Sequence, residues 1–311
     1  MMSGMTRRSC LGMLGGATAL ATVSSAAPDA RGGTQSVPLI ATNTYPWLTF
    51  ARRAGRPFVI HSDELLASIA ESGIRGYEPI ITSPAEFDGL AGRLRRHGLQ
   101  MRSLYVNSTL HDAAKVGQSI KDILAIAAKA KELGVQSIVT NPSPIRWGGD
   151  EDKDDRQLRR QAKALDQLGA ALRRLGLTLA YHNHDAELRQ GAREFHHMLT
   201  ATDPANVKYC FDVHWVYRGC GNSEVAVFDT LVQYHERVVE LHLRQSVGGI
   251  WTEAFSVTGD IDYNRIFAFL REQKQHPMLV LEQAVEAGSP NSLNAVEAHR
   301  RGRQNVIHAV A

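Results

Sequence analysis

The chain has 311 residues, 43% of them hydrophobic and 22% charged, with a formal charge of +3. This is the composition of an ordinary globular protein, long enough for one large α/β barrel or for two smaller domains. The near balance of basic and acidic residues excludes the electrostatic footprint that nucleic acid or an anionic membrane surface calls for.

The first residues do not read as fold. Arg7-Arg8-Ser9-Cys10-Leu11-Gly12 precedes a weakly apolar, Gly- and Ala-rich run over 13–23, and Ser24-Ser25-Ala26-Ala27-Pro28 follows. A charged start, a short apolar centre and small residues at its end make a signal peptide over residues 1–27. The apolar run is too short and too rich in Gly to span a bilayer. The paired arginines resemble a twin-arginine export signal, with Cys10 where that motif prefers Phe. Residues 28–311 are therefore expected in the periplasm, near neutral once Arg7 and Arg8 are gone. Cys210 and Cys220 remain, one in an expected strand and one in the loop after it, and no disulfide is expected between them.

From residue 38 onward one unit repeats. An amphipathic helix ends at a Gly and an apolar strand follows at once, most clearly at Gly73, Gly98, Gly134 and Gly176. Gly just past a helix end takes the left-handed conformation that closes it. Strands are expected near residues 38–44, 76–81, 100–106, 137–141, 177–182, 207–212, 238–243 and 278–282. Helix starts are expected at Ser62-Asp63-Glu64, at the capping box Ser83-Pro84-Ala85-Glu86 and at Asp262. Eight strands alternating with helices in one chain of this length predict an α/β fold, a single-domain (β/α)8 TIM barrel. An open doubly wound sheet is the alternative, weakened because no Gly-rich dinucleotide fingerprint follows the first strand. The acidic segment 146–155 interrupts the rhythm. It reads as a solvated loop leading into a helix, placed to form one wall of an active site.

In a barrel the C-terminal ends of the strands converge on one mouth. The stretch 177–188 opens apolar and ends in His182-Asn183-His184-Asp185. The next strands end in Asp212-Val213-His214-Trp215, in His242-Leu243-Arg244 and in Glu282-Gln283. Imidazoles and carboxylates at four successive strand ends suit a divalent transition metal with open positions, Mn, Co, Fe or Zn rather than Mg. Taken singly, each is equally readable as a hydrogen-bonded core residue.

These motifs, with Gly259-Asp260-Ile261-Asp262 and Leu279-Val280-Leu281-Glu282, resemble the xylose-isomerase-like barrels, the sugar phosphate isomerase/epimerase superfamily that includes inosose dehydratases and ketose 3-epimerases. The resemblance implies a metal held by His182, Asp212, His242 and Glu282. It departs from the epimerase pattern at His182, where a Glu is usual, and at Arg244, where Lys is common. The implied chemistry is proton abstraction next to the carbonyl of a keto-sugar or cyclitol. Glu282, His184 and Arg244 are the candidate catalytic groups, Arg244 as a grip on an oxyanion. Glu78, His111, His214, Trp215 and Trp251 are expected around a small carbohydrate. The expected outcome is isomerisation or epimerisation. A lyase or dehydratase eliminating from a 3-keto-glycoside or an inosose, and a non-catalytic periplasmic sugar-binding protein, are the alternatives. Nucleic acid is not an expected partner, nor is a membrane once the leader is cleaved, and the oligomeric state is open.

Overall fold

The computed structural model of the chain describes residues 38–310. The leader expected at 1–27 lies outside the described residues. Eight strands form one parallel sheet: β1 Ile40–Asn43, β2 Gly76–Glu78, β3 Ser103–Tyr105, β4 Ser137–Thr140, β5 Thr178–His182, β6 Val207–Asp212, β7 Val238–Leu243 and β10 Met278–Leu281. They are hydrogen-bonded in the order β2-β1-β10-β7-β6-β5-β4-β3. The remaining gap is closed by bridges at Gly76 to Gln100 and Ile80 to Tyr105, with Tyr77 N donating to Gln100 O at 2.8 Å and Tyr105 N to Pro79 O at 2.8 Å. The result is the expected (β/α)8 barrel. Each expected strand is present, and the four joint glycines all have positive φ, from +64° to +87°.

Helices fill the connections: α1 Thr44–Arg53, α2 Asp63–Glu71, α3 Leu90–Arg96, α4 Val116–Glu132, α5 Asp155–Arg174, α6 Arg189–Thr200, α7 Val213–Gly219, α8 Glu224–Tyr234, α9 Tyr263–Glu272 and α10 Ala295–Val310. The starts at Ser62 and Asp262 hold, each side-chain oxygen accepting from a first-turn amide. The box at Ser83 is formed, but it caps a single 3-10 turn, Pro84–Phe87, and not a long helix. Gly89, at φ +71°, then turns the chain into α3. A hairpin absent from the expectations, β8 Ser246–Val247 with β9 Ile250–Trp251, stands above the barrel mouth beside β7.

The large apolar core lies between sheet and helices, where Tyr181, Tyr209, Phe211, Leu241 and Leu243 pack outward from the strands. Side chains alternate across a strand, so the residues between them point into the barrel. There the apolar cluster is small, Tyr105, Val139, Ala180 and Cys210. Glu78, Ser103, Glu240 and His242 share that interior, all buried.

Candidate metal centre

Strand register brings the four expected ligands to one level. Asp212 pairs with His242 across β6 and β7, and His242 with Val280, two residues before Glu282. His182 Nε2 lies 3.1 Å from His242 Nδ1 and 3.6 Å from Asp212 Oδ2, and Glu282 Oε2 lies 2.9 Å from His242 Nδ1. One donor atom from each of the four lies within 4.8 Å of the others, and all four residues are buried.

This set fits a divalent cation. Asp212 divides its oxygens, Oδ1 accepting the Trp215 amide at 2.8 Å to cap α7 while the buried Oδ2 has no hydrogen-bond partner. Lone pairs of two imidazoles and two carboxylates converge, and apart from the imidazole N–H groups the donor beside them is Arg244 Nη2, 3.3 Å from Glu282 Oε2, an arrangement that is costly unless a cation or further protons intervene. Two nitrogen and two oxygen ligands suit Zn, Mn, Co or Fe. Burial pushes the Asp212 carboxyl up, and Arg244 draws it back. Burial works the same way on Glu282, but there Arg244 and His242 win and hold it well below the usual carboxylate range.

The next layer fixes these side chains. Asn183 Oδ1 accepts from Tyr209 Oη at 2.7 Å and from Asp212 N at 3.2 Å, tying the loop after β5 to β6. Asn141 Nδ2 donates to His182 O at 3.0 Å and to Glu187 Oε1 at 3.2 Å. Glu187 Oε2 in turn accepts the His184 amide at 2.6 Å, which sets the position of that ring. His184 faces the cavity with its ring centroid 4.8 Å from that of His182. Burial, and then His182, lowers its pKa to about 3, so it is a neutral imidazole.

Arg244 is 1% exposed. Its Nε donates to Glu282 O at 3.0 Å and its Nη2 lies 3.3 Å from Glu282 Oε2. Its guanidinium sits 4.3 Å from the Trp251 ring centroid and 5.0 Å from that of Trp215, a cation–π arrangement that keeps a buried charge in place. Trp251 is itself anchored. Its indole N–H donates to His214 Nδ1 at 3.4 Å, His214 Nε2 donates to Ser246 Oγ at 2.9 Å, and Ser246 Oγ donates to Asp260 Oδ2 at 2.6 Å. Burial, with Arg244 and Arg218 nearby, pulls His214 down to about 2 and keeps it neutral.

Above the ligands a cavity of about 370 Å³ opens, with His182, His184, Arg244 and Glu282 in its floor. That is the low end of ligand sites of ~300–1,000 Å³, the scale of one sugar or cyclitol ring. Of the five residues expected to touch a carbohydrate, Trp215 lines it. The other four do not. Glu78 lies beneath the centre against His242. His214 and Trp251 stand behind Arg244 as its support. His111 is set apart near Lys153 and Glu194, its backbone oxygen taken by Arg160. Five walls were not expected: Asn43 and Tyr45 at the end of β1, Ile80 just past β2, and Tyr105 and Asn107 at the end of β3. The rule that strand ends face the mouth points to these as well. Asp185 and Trp147 complete the rim. Trp147 comes from the acidic segment, as that segment's expected place in the wall implies, and packs edge-on to His184 at 5.3 Å.

A (β/α)8 barrel whose C-terminal mouth holds a centre of two histidines, one aspartate and one glutamate defines the class. Residues 66–304 match the family model described as xylose isomerase-like TIM barrel, and the chain belongs to that family. Among curated relatives, the inosose dehydratase of Clostridium botulinum (strain Alaska E43 / Type E3) is 24% identical over 272 residues, 78% of this chain and 88% of the relative. Two solved structures share the fold. A sugar phosphate isomerase/epimerase from Parabacteroides distasonis has a TM-score of 0.67 at 16% identity, covering 91% of this chain and 98% of that one. The IOLI protein with a binding zinc atom has a TM-score of 0.62 at 15% identity, covering 87% and 97%.

Proposed function

We propose that this chain is a divalent-metal-dependent carbon–oxygen lyase acting on a keto-cyclitol or keto-sugar of the inosose type. The observation that carries the reading is His182. With imidazole in place of a carboxylate at the end of β5, Glu282 is, among the described residues, the one carboxylate that reaches both the centre and the cavity floor. Epimerisation needs proton donors and acceptors on both faces of the reacting carbon, whereas elimination needs one base and a route for the leaving oxygen. The dehydratase names of the curated relatives point the same way.

His182, Asp212, His242 and Glu282 would hold the metal, which when bound polarises the substrate carbonyl and so acidifies the neighbouring C–H. Glu282, kept ionised by Arg244, takes that proton. Arg244 sets positive charge beside the oxygen on which charge develops. His184, neutral and with an unpartnered Nδ1, faces the cavity where the β-hydroxyl leaves. The proton gained by Glu282 leaves with that hydroxyl, so the balance is loss of one water. Trp147 and Trp215 close the sides around the ring.

A second reading, isomerase or epimerase, is favoured by Asp185, a further carboxylate on the cavity rim. The two are separated by turnover of metal-loaded protein on an inosose and a 3-keto-glucoside in deuterated water, followed by NMR. Loss of water or aglycone supports the lyase. Deuterium at carbon with every hydroxyl retained overturns it in favour of the isomerase. The reading also puts the reaction in the periplasm through the leader at 1–27, and cell fractionation of the full-length chain tests this.

A further inference from the structure

Beneath the centre the barrel holds a second acidic group. Glu240 lies two residues before His242 on β7, so both point inward. Glu240 Oε1 is 3.3 Å from His242 Nε2, and Glu78 Oε2, arriving from β2 across the barrel, is 3.2 Å from the same nitrogen. Glu78 is 0% and Glu240 1% exposed. Ser103 Oγ also donates to Glu240 Oε1 at 3.3 Å. The contact of Glu240 Oε1 with Nε2 is a hydrogen bond and that of Glu78 Oε2 an ion-pair contact, and both Glu78 oxygens and Glu240 Oε2 have no hydrogen-bond partner. The other ring nitrogen, Nδ1, faces Glu282 Oε2 and His182 Nε2 in the centre above.

Both ring nitrogens face carboxylate oxygens, Nδ1 that of Glu282 and Nε2 those of Glu240 and Glu78; a cation held in the centre above would take the lone pair of Nδ1 and leave the ring proton on Nε2. We infer that Glu78 and Glu240 are a paired-carboxylate support that fixes the tautomer and tilt of His242, and through it sets the affinity of the centre for a divalent cation. They are positioning residues: neither lines the cavity. The inference rests on the metal reading above but not on the reaction proposed for it. It accounts for two buried carboxylates that the reaction does not use.

The test is Zn2+ affinity by competition with a chromophoric chelator, with metal content per chain by elemental analysis, on the wild type, Glu78→Gln, Glu240→Gln and the double variant. One metal per chain is expected. Each single variant should weaken binding roughly 10–100-fold, the range for lost outer partners of a ligand histidine, and Glu240→Asp should recover part of it. Nitrogen-15 spectra of the metal-loaded wild type need no variant and should place the His242 proton on Nε2 and the metal on Nδ1. Unchanged affinity in both single variants, or metal on Nε2, overturns the inference. So does a second metal per chain lost in Glu78→Gln, because Glu78, Glu240 and His242 would then be a cation site in their own right. A wild type that takes up no divalent cation defeats the metal reading and this inference together. A wild type that binds metal yet turns over no substrate touches the reaction alone.

Discussion

Lys153→Met should damage both the stability and the substrate affinity of this protein. Lys153 is 2% exposed, although it lies in the acidic segment that reads from sequence as a solvated loop. Its Nζ lies 2.5 Å from Glu194 Oε1 and donates to Pro142 O at 3.1 Å. Its charge also offsets burial at Glu187, the carboxylate that holds the His184 amide. Removing one partner of a buried ion pair costs about 3–5 kcal/mol, because the other is left buried and uncompensated. Glu194 is 14% exposed on its side chain, so the lower end applies, ~3 kcal/mol. At roughly 1.7 °C per kcal/mol for a barrel of this size, Tm should fall by about 5 °C. The segment carries Trp147 onto His184, and Arg189 pins it further by bonds to Gly149 O and Glu151 O. KM should therefore rise more than kcat falls. Thermal unfolding followed by circular dichroism measures the first effect and steady-state kinetics the second. The double variant Lys153→Met with Glu194→Leu removes both charges and should recover at least half of the lost Tm. A single variant with a Tm within about 2 °C of the wild type would refute the argument, given the pair energy assumed.

Chelation should lower Tm and added Zn2+ or Mn2+ should restore it, by about 2.7 kcal/mol at a metal concentration 100 times Kd; Asp212→Ala should abolish that gain, and calorimetry with and without chelator reads both. His299 is buried against Trp47 with ring centroids 4.1 Å apart, and burial takes its pKa down to about 4, outweighing its bond to Ala295 O. The unfolded chain binds that proton near pH 6.5 and the folded chain only near 4, so this contribution is complete above pH 6.5 and is lost as pH falls towards 4, about 2 kcal/mol of it by pH 5. Urea unfolding at pH 7 and 5 should show the loss, and His299→Gln should flatten it. Gly169→Ala in α5 would bring a Cβ to 2.1 Å from Asn206 O, a backbone atom, so overpacking should cost about 1–3 kcal/mol or more in the same assay.

The eight strands were legible because each is a short apolar run, four of them (β2 to β5) entered from a left-handed Gly, and β6 and β7 lie at the expected residues. The hairpin Ser246–Trp251 was not, because two-residue strands carry no period. Ser83 misled for a related reason: a capping box reports the first turn of a helix and is silent on how many turns follow, which here Gly89 decides. Lys153 was hidden because charge in an acidic stretch looks solvated until Glu194, 41 residues on, comes to meet it.

The site divides along a similar line. The strand-end residues His182, Asp212, His242 and Glu282 converge, whereas Glu78, His214 and Trp251, expected around the substrate, lie outside the cavity lining. The alternation in β7 shows why the deeper layer escapes notice. In Val238–Leu243 the leucines look like the face to bury and Glu240 and His242 like the face to leave in water, yet all four are buried, the leucines against helices and the polar pair inside the barrel. A barrel strand has two buried faces, and the outer one carries most of the apolar packing. The inner column of this chain is thereby free to hold Glu78, Ser103, Cys210 and Glu240 beneath the ligands, at a cost in desolvation that a purely structural interior has no reason to bear. A polar residue on the inward register of a barrel strand, even below the mouth, is thus a pointer to the centre above it.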